Sequence, residues 1–335
     1  RRADNVTGLL GGMEFCAYLR SQKKPVTTGF LMHIGIDDFA TVNETHGSNY
    51  GDYVLKSVAD CMKECLSGNQ RLYHLVADQY VIVDLDSTSM DDAIQLKKKI
   101  GEKIDEFIIS EKYEVVFSAS AGVIDASTVA EGYEECRKKF EFSLKKAKRM
   151  GKNNIYFYRQ EDYEKFQRNG RIISALRNSI ANGCEGFEVY YQPIYSLKEK
   201  CVVSLEALVR LKDEKLGAIP PNEFIPLAEQ NGTITQISEI VLEECCRFLA
   251  KHVLPNPSLG IRTIHVNIAA AQCLNRNLKE SILPVLERYY VPAHMITLEL
   301  TERTAVEAPK LMLWHMQEFG KIGMGFAMDD YGSGN

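Results

Sequence analysis

The sequence predicts an α/β protein of two domains: an α/β sandwich followed by an incomplete (β/α) barrel. Three observations carry this. The 335 residues exceed a typical single domain. The first half mixes strand and helix patterns around a two-residue hairpin turn. The second half alternates short apolar runs with helical stretches, the rhythm of βα units feeding a parallel sheet.

In chain order, residues 29–36 (GFLMHIGI) read as a buried strand, and residues 51–66 as a helix after a loop. Residues 71–76 and 79–85 read as two strands meeting at Ala77-Asp78. A long helix is expected over 90–109, with Ala93, Ile94, Leu96, Ile100, Ile104 and Phe107 at roughly helical spacing. A strand follows over 115–124, then a charged helix over 131–150 that Gly151 stops, then a short strand over 154–158. The first domain is thus placed at 1–160, and a polar helical connector at 161–175. In the remaining domain, 176–335, strands are expected near 187–191, 202–208, 263–268, 296–300 and 325–328. Helices such as 237–249 and 278–289 fall between them.

Composition is ordinary for a globular chain, at 45% hydrophobic and 25% charged residues. A formal net charge of −5 offers no basic field for DNA or RNA. Lys145, Lys146, Lys148 and Arg149 fall in one helical stretch, where a solvated helix face accounts for them. The nine cysteines show no CxxC pair, which argues against zinc and fits reduced thiols in a cytoplasmic protein. No apolar run approaches the ~20 residues of a membrane span, and no signal peptide is visible. The chain opens at Arg1-Arg2-Ala3 without a methionine, as an excised piece of something longer would.

The candidate chemistry lies in acids on apolar strands. Within 296–301 (ITLELT), alternation puts Ile296, Leu298 and Leu300 on one face and Thr297, Glu299 and Thr301 on the other. Glu206 sits similarly in SLEALV, Asn267 lies in HVNIA, and Asp329 and Asp330 end the run GFAM. A buried lone carboxylate is expensive and needs a partner. Singly, each has a structural explanation as a cap or an ion pair. Together, separate strands each deliver an oxygen donor near a strand end, where the sites of β/α barrels form. The set is all oxygen, with no histidine or cysteine expected in its company. That suits Mg²⁺, Mn²⁺ or Ca²⁺ rather than zinc or copper. Five such groups can hold one or two cations and serve an in-line displacement at phosphorus.

At this point the residues resemble a known family. Tyr190-Tyr191-Gln192-Pro193-Ile194 and Glu206-Ala207-Leu208-Val209-Arg210 look like the opening of an EAL domain. Phe224-Ile225-Pro226-Leu227-Ala228-Glu229, Val266-Asn267, Glu299-Leu300-Thr301-Glu302 and Asp329-Asp330-Tyr331-Gly332 continue the pattern in order. The resemblance implies a modified TIM barrel and hydrolysis of cyclic di-GMP to linear pGpG, with Mg²⁺ or Mn²⁺ as cofactor. It implies Glu206, Asn267, Glu299 and Asp329 as metal ligands, and Asp330 on a second metal. Glu206, Asp329 and Asp330 would be catalytic. Gln192 and Arg210 would contact substrate, Arg210 at a phosphate that its planar fork suits. Ala269, Arg303 and Tyr331 depart from frequent family residues without removing a ligand. The sequence ends at Gly332-Ser333-Gly334-Asn335, in the loop after the fifth barrel strand, before the family's later lysine, glutamate and glutamine. A whole barrel takes roughly 250 residues, so an omitted tail is expected.

The first half resembles a GGDEF domain, the fold of diguanylate cyclases. The resemblance runs through Asp4-Asn5-Val6-Thr7-Gly8-Leu9, Ile36-Asp37-Asp38-Phe39, Asn43-Glu44, Gly51-Asp52, Ser120-Ala121-Gly122-Val123 and the stretch from Ala147 to Asn153. The signature itself reads Val76-Ala77-Asp78-Gln79-Tyr80. Val76 and Ala77 add side chains where glycines allow close approach of a nucleotide. Gln79 replaces an acidic ligand, Gly35 stands at the family's first metal aspartate, and Ser67-Gly68-Asn69-Gln70 replaces the inhibitory RxxD motif. This argues against cyclase activity and for a regulatory or dimerising module. Asn43 and Asp52 remain, and the resemblance implies guanine contacts for a GTP there. A turn residue and a helix cap are the structural alternatives. The expected partners are therefore cyclic di-GMP, GTP at the first domain and a second copy of the chain. A non-catalytic cyclic-di-GMP sensor or scaffold is the competing reading.

Overall fold

The computed structural model describes residues 3–22, 24–301 and 308–329. The chain divides into two compact units after Lys165. The first is built on five strands, β1 (Phe30–Ile36), β2 (Arg71–Val76), β3 (Gln79–Asp84), β4 (Ala119–Asp125) and β5 (Ile155–Phe157), in the order β2-β3-β1-β4-β5. Its helices are α1 (Gly12–Arg20), α2 (Phe39–His46), α3 (Ser48–Cys65), α4 (Asp91–Ser110) and α5 (Tyr133–Arg149).

Strand β1 is buried along its whole length, as its unbroken apolar run requires of a central strand. Alternation sends Phe30, Met32, Ile34 and Ile36 into one layer, where Val54, Val58 and Met62 of α3 and Leu96, Ile100 and Ile104 of α4 close a core. Leu31 enters the opposite layer, with Phe15 and Leu19 of α1 and Cys136 and Phe140 of α5. Each such side chain contributes roughly 1.5–3 kcal/mol by burial. This is the sandwich the sequence predicts. The hairpin at Ala77-Asp78 is present, with Ala77 at φ 51°, a conformation that costs a non-glycine residue roughly 1–2 kcal/mol.

One strand is shorter than expected. Residues 115–118 precede β4 instead of belonging to it. The last rung between β1 and β4 joins Ile36 to Ala119, and at Asp38 (φ 54°) the chain leaves β1 for α2. Val115 and Phe117 stay buried without a ladder partner. Burial, not hydrogen bonding, explains their apolar character.

Helix α6 (Gln160–Ala181) follows β5. The second unit contains β6 (Phe187–Ser196), β7 (Cys201–Asp213), β8 (Gly217–Ile219), α7 (Pro221–Asn231), α8 (Ile234–Phe248), β9 (Thr263–Asn267), α9 (Ala270–Cys273), α10 (Leu278–Arg288), β10 (Ile296–Thr301), α11 (Pro309–Gly320) and β11 (Gly325–Asp329). Its sheet runs β11-β10-β9-β7-β6, with β8 paired to β7. Strands β7, β9, β10 and β11 are parallel neighbours, and β6 pairs antiparallel to β7. Pro193, which has no N–H for a ladder, is accommodated because β6 ends the strand path. One face of the sheet packs Ala207, Ile264, Val266, Ile296 and Leu298 against Val241, Cys245 and Cys246 of α8, Ile282 and Leu286 of α10, and Phe319 of α11. The architecture is α/β throughout, a GGDEF-like sandwich and a TIM-type βα sheet.

All nine cysteines are free thiols. Burial pushes the Cys136, Cys246 and Cys273 thiols up to about 12, so they act as small apolar side chains. Among the described residues, no helix is long and apolar enough to cross a membrane.

Candidate functional site

Strand register assembles the site in the second unit. Gln192 of β6 lies directly across from Glu206 of β7. Glu206 pairs in parallel register with His265 of β9, Asn267 pairs with Glu299 of β10, and Glu299 pairs with Ala327 of β11. Paired residues share a face, so Gln192, Glu206, His265, Asn267 and Glu299 lie opposite the face that meets the helices. Asp329 pairs with Thr301, one alternation step beyond the Glu299–Ala327 rung. The side chain of Asp329, and Asp330 entirely, lie outside the described residues.

Within this set Asn267 Nδ2 donates to Glu206 Oε1 over 3.5 Å. That contact leaves the amide oxygen as the donor atom for a cation. His265 Nδ1 lies 2.6 Å from Glu299 Oε1. One rung earlier, the Thr263 and Thr297 hydroxyls bond each other over 3.0 Å. Arg210 sits on β7 four residues beyond Glu206. Its guanidinium lies 5.5 Å over the Tyr190 ring and donates to the Val209 carbonyl.

The expectation that no histidine keeps company with these acids is corrected. His265 is two residues before Asn267, so alternation alone carries it to the same face. The spacing in His265-Val266-Asn267 was the available signal. Among the described residues, no three His, Cys, Asp or Glu side chains gather closely enough to hold a metal ion. Glu206, Glu299 and the Asn267 amide are nonetheless oxygen donors on three adjacent strands, and such a donor set fits a hard divalent cation.

In the first unit, Asn43 lies within α2 and Asp52 in the second turn of α3, so neither is the turn residue or helix cap considered from sequence. Helix α3 begins at Ser48, earlier than the expected Gly51, which shifts Asp52 from the first turn to the second. The Asn43 side chain lies across Gly51, where a Cβ would meet its Oδ1 at 1.8 Å. Asp52 is exposed.

The altered signature is held by specific contacts. Lys148 Nζ donates to the Ile36 carbonyl over 3.0 Å, lies 3.4 Å from Asp78 Oδ2, and would stand 2.9 Å from a Cβ at Gly35. Gln79 Oε1 lies 3.0 Å from His33 Nε2, and His33 Nδ1 reaches the Phe140 carbonyl at 3.3 Å. Burial, opposed by these two hydrogen bonds and helped by nearby Lys148, lowers His33 to about 4. Asp37 is buried and accepts from Ser118 Oγ (2.6 Å), Ser120 Oγ (2.8 Å) and Asn153 N (2.9 Å).

Comparison with known proteins agrees with this division. Residues 2–154 match the "Diguanylate cyclase, GGDEF domain" family, and residues 173–335 match the "EAL domain" family. The "Bifunctional diguanylate cyclase/cyclic di-GMP phosphodiesterase MucR" of Pseudomonas aeruginosa is 27% identical over 305 residues, 91% of this chain and 44% of that protein. The "Cyclic di-GMP phosphodiesterase NbdA" of the same species is also 27% identical over 305 residues, covering 91% of this chain and 38% of that one. The chain thus spans less than half the length of these relatives. A solved structure described as "PaMucR Phosphodiesterase, c-di-GMP complex" is 30% identical, with a TM-score of 0.46, over 49% of this chain and 65% of that one. The chain thus carries a GGDEF-family domain followed by an EAL-family domain.

Proposed function

We propose that the second unit hydrolyses cyclic di-GMP to linear pGpG with a divalent cation, Mg²⁺ or Mn²⁺, and that the first is a regulatory module without cyclase activity. The observation that carries the reading is the delivery of Glu206, Asn267 and Glu299 to one sheet face by three adjacent strands, with Gln192 across from Glu206. The relatives named as cyclic di-GMP phosphodiesterases support the substrate class. Glu206, Asn267, Glu299, Asp329 and Asp330 would hold the cation. When bound, it supplies Lewis-acid stabilisation of phosphoryl oxygens and an acidified water. The chain's own polar groups do the rest. Arg210, steadied over Tyr190, offers a charge-assisted fork to a phosphate, and Gln192 offers an amide hydrogen bond beside it.

Loss of cyclase chemistry is supported by three residues. Gly35 brings no carboxylate, Gln79 brings a neutral amide committed to His33, and the Lys148 ammonium takes the Ile36 carbonyl and Asp78. A resident ammonium repels a second cation from the same oxygens.

The test is product formation by the full-length protein. Mg²⁺- or Mn²⁺-dependent release of pGpG is expected, with Glu206→Ala lowering kcat at least 100-fold, on the order expected for removing a metal ligand. GTP is expected to give no cyclic di-GMP. Cyclic di-GMP binding without turnover, measured by calorimetry beside a product assay, would instead favour the sensor reading.

A further inference from the structure

Strand β9 lies between β7 and β10 and carries His265 and Asn267 at alternate positions on the candidate site face. They reach in opposite directions. Asn267 turns to Glu206 on β7, and His265 turns to Glu299 on β10. The second contact is much the shorter, 2.6 Å against 3.5 Å, and both partners are largely shielded, with side chains 20% and 13% exposed.

We propose that His265 is a positioning residue that fixes the Glu299 carboxylate for the divalent cation. The inference rests on the metal reading given above. A carboxylate oxygen can only accept, so Nδ1 carries the proton of this bond and the imidazole tautomer is set. Holding Oε1 leaves the second oxygen of Glu299 to face the cation. It also removes rotations that a three-torsion glutamate otherwise loses when the ion binds. The ring is itself steadied by its strand, because the Thr263–Thr297 bond clamps β9 to β10 one rung earlier. An all-oxygen donor set thereby acquires a nitrogen neighbour that acts through a ligand rather than on the metal.

The test is Mn²⁺ binding to the full-length protein by isothermal calorimetry, with no turnover required. His265→Ala is expected to weaken Mn²⁺ affinity 10- to 100-fold. His265→Asn places an amide N–H near the former Nδ1 and is expected to recover most of the loss, which a merely structural role would not predict. Unchanged thermal melting of both variants would show that the sheet is intact. Equal Mn²⁺ affinity in wild type and both variants would overturn the role of His265 and leave the metal reading standing. Loss in both variants without recovery by asparagine would also overturn it. No Mn²⁺ binding by wild type would overturn both.

Discussion

Gln79 shows how a residue can lose one role and take another. Its amide faces a buried histidine that the surroundings keep neutral, and both ring nitrogens of His33 have a partner. The atoms facing the ring, the Phe140 carbonyl oxygen and Gln79 Oε1, are both acceptors, so the neutral imidazole with its single N–H donates to one of them at a time. The pair has a pH consequence whose direction is fixed. The folded value of His33, about 4, lies below the unfolded value near 6.5. As pH falls through that window the unfolded chain takes up the proton first, so stability is full above about 6.5 and drains away toward 4. The whole window is worth about 3 kcal/mol, and the step from pH 7 to 5 about 2 kcal/mol. Urea denaturation of the first unit at the two pH values checks this. His33→Gln is expected to flatten the dependence by about that amount, and an unchanged slope would refute the assignment.

Among the elements, the contact of α5 with β4 is the least tolerant. A Cβ at Gly122 would stand 2.2 Å from the Leu144 amide nitrogen and 2.4 Å from the Ser143 carbonyl carbon, backbone atoms of a 17-residue helix that cannot swing aside. Gly122→Ala is therefore expected to destabilise the first unit by about 3 kcal/mol. Gly35→Ala meets mainly the flexible end of Lys148 and is expected to cost about 1 kcal/mol. Paired denaturation midpoints check the contrast, and similar losses would sink it. The same scale shows what the sequence made legible. The β2–β3 hairpin was readable because its two-residue turn is local, and Glu299 was readable because alternation within ITLELT is local. The true start of β4 was not, because it depends on where β1 leaves the ladder, more than 80 residues away. His265 fell between these cases. Its face was implied by spacing from Asn267, but its partner depends on the register of β9 against β10, which no single strand encodes. Asp330 and the side chain of Asp329 remain expectations from sequence.

For the whole molecule, the question is where one folding unit ends. The division falls after Lys165, inside the 22-residue helix α6. Tyr163, in the first turn of that helix, is buried with Phe142, Ala147 and Tyr156, and Tyr156 Oη donates to Asp162 Oδ2 over 2.7 Å. Ile172 and Leu176, two turns on, are buried in the core of the second unit. A boundary drawn at the end of β5, where the sequence pattern changes, therefore removes part of the first unit's own core. A fragment ending at Lys165 is expected to unfold in one cooperative urea transition, as a compact unit with its cores intact should. A fragment ending at Arg159 loses the Tyr163 ring and the Asp162 acceptor together. It is expected to be less stable by about 3–5 kcal/mol, the usual range for deleting a buried aromatic side chain. Tyr163→Ala in the longer fragment should account for most of that difference. If the two fragments melt alike, the first turn of α6 contributes nothing to the first unit, and the boundary belongs at the end of β5 instead.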